Sequence, residues 1–138
     1  RKLPFNIIGI EHVGIAVKDL DRISEVFSDL LGLDLRSREK VADDQVITDI
    51  YHAGEDKVEF LKATSPGSPI SRFLQKKGEG MHHIAFRVDN LQSALNYLST
   101  QGIQLIDTKP RIGAEDLKVA FIHPKSTGDV LVELCEKK

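Results

Sequence analysis

A repeat constrains this chain more than any other feature. Shifted by 71 positions, His12 falls on His83, Val13 on Ile84, Gly14 on Ala85, Ile15 on Phe86, Val17 on Val88 and Leu20 on Leu91. A helical pattern follows each of these strand-like segments. In the first copy Leu20, Ile23, Phe27 and Leu30 recur at three- and four-residue steps up to Gly32. In the second, Leu91, Ala94, Leu95 and Leu98 do the same up to Gly102. Apolar residues at that spacing mark one buried helix face. Asp19 and Asn90 stand at N-cap positions, and the two glycines can serve as C-terminal caps. Three strand-like runs come next in each copy, at about 33–41, 46–52 and 57–62, then at about 103–108, 117–122 and 129–135. Turn residues separate them, Gly54-Glu55-Asp56 in one copy and Ser126-Thr127-Gly128 in the other.

The order predicts an α+β domain of two tandem βαβββ modules, residues 7–66 and 80–138. Between them, Ser68-Pro69 reads as an N-cap followed by proline at the first helical position, so a linker helix is expected at about 68–77. One module alone would bury too little apolar surface to be stable. Pairing the two about a pseudo-twofold axis within a single domain of 138 residues is therefore the expected solution.

Side chains alternate across a strand with period two. Val13, Ile15 and Val17 then share one face, suited to packing under the helix, while His12, Gly14 and Ala16 share the other. In the second copy His82, Ile84, Phe86 and Val88 lie on one face, and His83, Ala85 and Arg87 on the other. Only His83 is equivalent to His12, and both project beside small residues. His82 is expected to be structural. The closing strands repeat a second feature: "KVEFL" (57–61) matches "LVELC" (131–135), which places Glu59 on Glu133. A lone buried carboxylate is expensive unless it is paired, protonated or metal-bound. Two histidines and two glutamates in twofold register define a ligand set with positions left over for water or substrate. This mixed N/O set suits Co²⁺, Ni²⁺, Mn²⁺, Zn²⁺ or Mg²⁺ and discriminates poorly among them.

Composition excludes several alternatives. A net charge of −2 gives no field that would recruit nucleic acid or an anionic membrane. The apolar runs fall far short of the roughly 20 residues that span a bilayer. The single cysteine, Cys135, rules out an intramolecular disulfide and fits a reducing compartment. With no signal-like opening segment, the expectation is the cytoplasm, with the mitochondrial matrix open to a chain whose transit segment has been removed.

The paired modules with the order His, Glu, His, Glu resemble the vicinal oxygen chelate (glyoxalase-like) superfamily. Within it, the chain resembles the methylmalonyl-CoA epimerase family. "SPISRFLQKKGEGMHHIAFRVDN" (68–90) and "KPRIGAEDLKVAFIHPKSTGDVLVEL" (109–134) carry most of that resemblance, which runs from "IEHVGIAVKDL" (10–20) to "VLVEL" (130–134). It implies a curved, partly open mixed sheet around a metal cavity, with His12, Glu59, His83 and Glu133 as ligands. It further implies one divalent cation, Co²⁺ first, with Zn²⁺, Ni²⁺, Mn²⁺ or Mg²⁺ as alternatives. The implied activity interconverts (R)- and (S)-methylmalonyl-CoA by 1,1-proton transfer through a metal-stabilised enolate. Glu133 and Glu59 are the implied acid/base pair, Arg87 and Lys125 the candidate substrate contacts, and a homodimer the implied assembly. Two other readings compete: a glyoxalase I-type lactoylglutathione lyase, and a non-catalytic small-molecule-binding protein of the same fold. "HPKSTGDVLVEL" (123–134) favours the epimerase over the lyase.

The resemblance departs from part of the family in two places, one being Glu59, where some members have glutamine. Some members carry a separate glutamate on the third strand, where Thr48 stands here with Asp49 beside it, and Asp49 is expected to face the other way. Lys76 and Lys77 are candidate contacts for CoA phosphates. Cys135 lies one pleat beyond Glu133 on the same face and is expected to pack. His52 and His123, related by the same shift, are left outside the site.

Overall fold

The computed structural model describes residues 2–138. They form two compact units, His12–His82 in one, and the segment ending at Glu11 with His83–Lys138 in the other.

In the His12–His82 unit the strand order is β2-β3-β4-β1. Strand β1 (Ile7–Ala16) pairs in parallel with β4 (Asp56–Ala63) from His12 onward, and β2 (Asp34–Val41), β3 (Val46–Ala53) and β4 run antiparallel. Helix α1 (Leu20–Ser24) begins where expected: the Asp19 carboxylate accepts hydrogen bonds from the amides of Asp21 and Arg22 at 3.0 and 3.2 Å. The core under the helix joins Val17, Leu20, Tyr51 and Phe60 to Ile23, Phe27 and Leu35. Its rings interlock, Phe27 with Phe60 at 4.8 Å and Tyr51 edge-on to Phe60 at 5.4 Å. Such pairs are worth ~0.5–1.5 kcal/mol each beyond the area they bury.

One apolar position departs from the sequence expectation. Leu30 is 79% exposed rather than on the buried stripe. The helix continues from Glu25 to Leu30 as a wider π-helical turn, with the Leu31 amide bonding to the Val26 carbonyl at 2.9 Å. That i→i+5 spacing breaks the 3.6-residue phase, so the fourth apolar residue leaves the core. Gly32, at φ +76°, then ends the segment in the left-handed region that glycine tolerates. Helix α2 (Pro69–Lys77) is capped by fully buried Ser68, whose hydroxyl accepts from the Ile70 amide at 3.1 Å and donates to the Asp44 carbonyl at 3.2 Å.

In the other unit the order is β5-β8-β7-β6. Strand β5 (Gly80–Val88) pairs in parallel with β8 (Val132–Glu136), and β8 runs antiparallel to β7 (Lys118–Ile122). Helix α3 (Leu91–Thr100), capped by Asn90 on the Ser93 amide, buries Leu91, Ala94 and Leu95 against Phe5, Val88, Ala120, Ile122 and Leu134. The strand expected at 103–108 is absent. Only Leu105 bridges to Ile122, and the short edge strand β6 lies at Arg111–Ile112. Asp107 explains the interruption: its carboxylate accepts the Phe121 amide at 2.8 Å, so a side chain satisfies a donor that a strand backbone would otherwise take.

The repeat survives in the register. Gly14 sits opposite Glu59 in the β1–β4 pair, and Ala85 opposite Glu133 in the β5–β8 pair. No helix among the described residues is long and apolar enough to cross a membrane.

Candidate metal centre

Each unit places one imidazole against one carboxylate. In the His12–His82 unit, His12 Nδ1 lies 3.2 Å from Glu59 Oε2. In the other, His83 Nε2 lies 3.1 Å from Glu133 Oε1. All four residues are buried, the histidines at 3% and 6% exposure and the glutamates likewise. The parallel pairing of an entry strand with a closing strand brings each pair together. A residue on β1 or β5 and one on β4 or β8 share a face, and Gly14 or Ala85 beside the glutamate leaves room for the imidazole.

The donor chemistry fits a divalent cation. Each pair offers an imidazole nitrogen and a carboxylate oxygen, both withdrawn from water, and burial of a carboxylate is sustained only by a partner charge, a proton or a metal. Opposite the glutamates stand Ile50 on β3 and Phe121 on β7. The Phe121 ring meets the His83 ring edge-on at 5.8 Å, and the Arg111 guanidinium lies over the Phe121 ring at 5.4 Å from its centroid.

The remaining candidates divide. Arg87 donates from Nη2 to buried Glu11 at 2.9 Å, so its guanidinium is held by a carboxylate of the protein. Its Nε has no hydrogen-bond partner among the described residues, and its side chain is 29% exposed. Lys125 is exposed on a short 3₁₀ turn, where its backbone amide donates to His123 Nδ1 at 3.1 Å. His123 is thus a turn cap. His82 packs edge-on against Phe73 of α2 at 5.0 Å. Lys77 lies over that same Phe73 ring.

Asp49 does face away from Thr48, into the helix-covered side. It is fully buried, and Arg38 grips it with Nε at 2.6 Å and Nη2 at 2.9 Å while also reaching Asp21. Donating to the Asp49 carboxylate holds the Arg38 guanidinium above its ordinary value. Sequence reading passed over two buried groups. Glu11 interrupts an apolar strand immediately before His12, a signal of the same kind as Glu59. The Arg38–Asp49 clamp left no periodic trace, because both residues read as ordinary strand polarity.

The superfamily described as glyoxalase/bleomycin resistance protein/dioxygenase matches residues 11–121. The uncharacterized protein YqjC of Bacillus subtilis (strain 168) is 43% identical over 129 residues, covering 94% of this chain and 92% of its own length. The mitochondrial methylmalonyl-CoA epimerase of Mus musculus is 37% identical over 126 residues, covering 91% of this chain and 71% of its own length. Among solved structures, a variant of Streptomyces coelicolor methylmalonyl-CoA epimerase in complex with 2-nitronate-propionyl-CoA superposes with a TM-score of 0.92. It is 27% identical and covers 96% of this chain and 99% of its own. The chain therefore belongs to the glyoxalase/bleomycin resistance protein/dioxygenase superfamily and, within it, to the methylmalonyl-CoA epimerases.

Proposed function

We propose that this chain is a divalent-metal-dependent epimerase that interconverts (R)- and (S)-methylmalonyl-CoA. The observation that carries this reading is the pair of buried His–Glu contacts at repeat-equivalent places, found in a chain 37% identical to an epimerase of that name. His12, Glu59, His83 and Glu133 hold one cation, with Co²⁺ the first choice. When bound, that ion supplies Lewis-acid stabilisation for negative charge developing on the thioester oxygen.

The protein's own groups move the proton. The substrate carbon lies between a carboxylate and a thioester, and its C–H bond is weakly acidic. Glu133 takes that proton on one face, and the bonding pair passes into the thioester carbonyl. The carbon becomes planar, and Glu59 delivers a proton to the opposite face. Reversing the roles runs the reaction backward. Burial of both carboxylates keeps competing water away from them. Arg87, anchored on Glu11 through one nitrogen, keeps further N–H groups for the substrate carboxylate. Lys125, exposed on its turn, is the second substrate contact, to the carboxylate or to a CoA phosphate. The proposed assembly is a homodimer, read out by light scattering.

The test is proton exchange in D₂O. Racemic methylmalonyl-CoA and the hemithioacetal of methylglyoxal and glutathione are supplied in parallel to the metal-loaded chain. Exchange of the α-proton without fragmentation is expected. Turnover of only the hemithioacetal would reassign the chain to lactoylglutathione lyase chemistry, and binding without turnover of either would make it a binding protein.

A further inference from the structure

Glu133 spends its two oxygens on different neighbours. Oε1 lies 3.1 Å from His83 Nε2, while Oε2 accepts a hydrogen bond from the Cys135 thiol at 3.0 Å. Both residues project from the same face of β8, two positions apart, which is the spacing that lets neighbouring side chains on a strand touch. The thiol is fully buried, and the apolar groups clustered with it are Ala85, Leu117 and Val119. The repeat supplies an internal control. Two residues beyond Glu59 stands Leu61, which offers no donor and packs instead with Ala16, Val46 and Ile70. A polar hydrogen at this place is therefore no general requirement of the strand. Beside Glu133 that place is taken by a thiol.

We propose that Cys135 is a positioning residue for Glu133. Its S–H tethers Oε2 and so turns Oε1 toward the imidazole and the cation site. A glutamate side chain has three torsions, and fixing one oxygen with a neutral donor orients the other without adding charge to the site. A thiol suits this role because it is small, neutral and a weak donor, so it restrains the carboxylate without neutralising it. The inference rests on the metal-dependent epimerase reading for its consequence, though the tether itself can be measured independently.

Two measurements on the full chain test it. The first uses Cys135→Ala and Cys135→Ser, with Co²⁺ affinity by calorimetry, thermal midpoint, and kcat and KM for methylmalonyl-CoA. Cys135→Ala is expected to weaken Co²⁺ about tenfold, within the range seen when groups supporting metal ligands are removed. It is also expected to lower kcat with little change in KM, while Cys135→Ser, which restores a donor, recovers most of both. Equal losses in both variants would make Cys135 a packing residue, and no loss in either would remove it from the site; each result overturns the proposal. The second measurement needs neither metal nor substrate. With one cysteine in the chain, the S–H infrared stretch is a single band. It is expected below the free-thiol frequency and to rise in Glu133→Gln; a band at the free-thiol position, unmoved by that substitution, overturns the tether. Should the parent chain bind Co²⁺ yet exchange no α-proton, the epimerase reading fails while the metal and infrared data still decide the role of Cys135.

Discussion

The two glutamates occupy equivalent registers in different company. Glu59 sits across from Gly14 and Ile50, two residues before Leu61, with the His12 imidazole 3.2 Å from its carboxylate. Glu133 sits across from Ala85 and Phe121 and two residues before Cys135. It has a thiol on one oxygen, and an imidazole braced by an aromatic ring on the other. Duplication preserved the imidazole–carboxylate pairing and let the surroundings diverge. A carboxylate with a thiol on one oxygen and an imidazole beside the other is oriented for transfer to a defined point. The comparison teaches that a twofold scaffold need not give twofold chemistry.

The largest effect should come from breaking that inequality at its stronger side. Glu133→Gln is expected to lower α-proton exchange about a thousandfold while the chain stays folded. Proton NMR in D₂O checks the exchange, and circular dichroism the fold. Glu59→Gln sharpens the contrast. Epimerisation should fall about a hundredfold, yet one epimer should still wash its α-proton into solvent, because Glu133 can remove it without a partner to return it on the far side. Equal behaviour of the two variants would mean that the divergence around the glutamates has no catalytic meaning.

A second inequality lies on the helix-covered faces. Asp49 falls on Ala120 under the repeat shift, and both are fully buried. One unit manages there with an alanine, the other with a carboxylate clamped by Arg38. Arg38→Ala should destabilise the protein by ~1–2 kcal/mol, a figure already discounted because the guanidinium is half exposed. Much of that loss comes from leaving Asp49 buried without its guanidinium, so adding Asp49→Ala should recover part of it. Urea denaturation of the two single variants and the double variant provides the cycle. Additive losses would show that Arg38 and Asp49 stabilise the protein independently of one another.

The smallest effect concerns a third mismatch, Asp89 against Lys18. Asp89 accepts the backbone amide and the side-chain amide of Asn6, both at 2.8 Å, and those hydrogen bonds hold its carboxyl below the ordinary value of 3.8. A lowered folded-state value means that the carboxylate's contribution is fully present above 3.8 and is lost as pH falls through the lower, folded value. Asn6→Ala should therefore flatten the acid limb of the stability curve and leave the neutral region nearly unchanged, as read from thermal melts across the acid range.

The parts of the fold written in local pattern were legible before any tertiary information. Asp19, Ser68 and Asn90 cap the helices expected of them, since an N-cap is decided within about three residues of chain. The faces of His12, His83, Glu59 and Glu133 follow from strict alternation along a strand. The failures share a cause as well. Leu30 was misplaced because one π-helical turn shifts the phase, and apolar spacing cannot announce that turn. The strand at 103–108 failed because Asp107 bonds to a backbone amide from a neighbouring strand, a partner 14 residues away in sequence.

The amino-acid sequence by itself determined the duplication, the βαβββ order, the capped helices and the identity of the buried imidazole and carboxylate pairs. These depend on periodicities that a single strand or helix imposes on its own side chains. The tertiary structure alone decided that the Cys135 thiol donates to Glu133, that Arg38 clamps Asp49 and that Arg87 is engaged by Glu11. Each of these depends on rotamers and on which strands lie side by side, and a contact between groups that meet only after folding leaves no period in the chain that carries them.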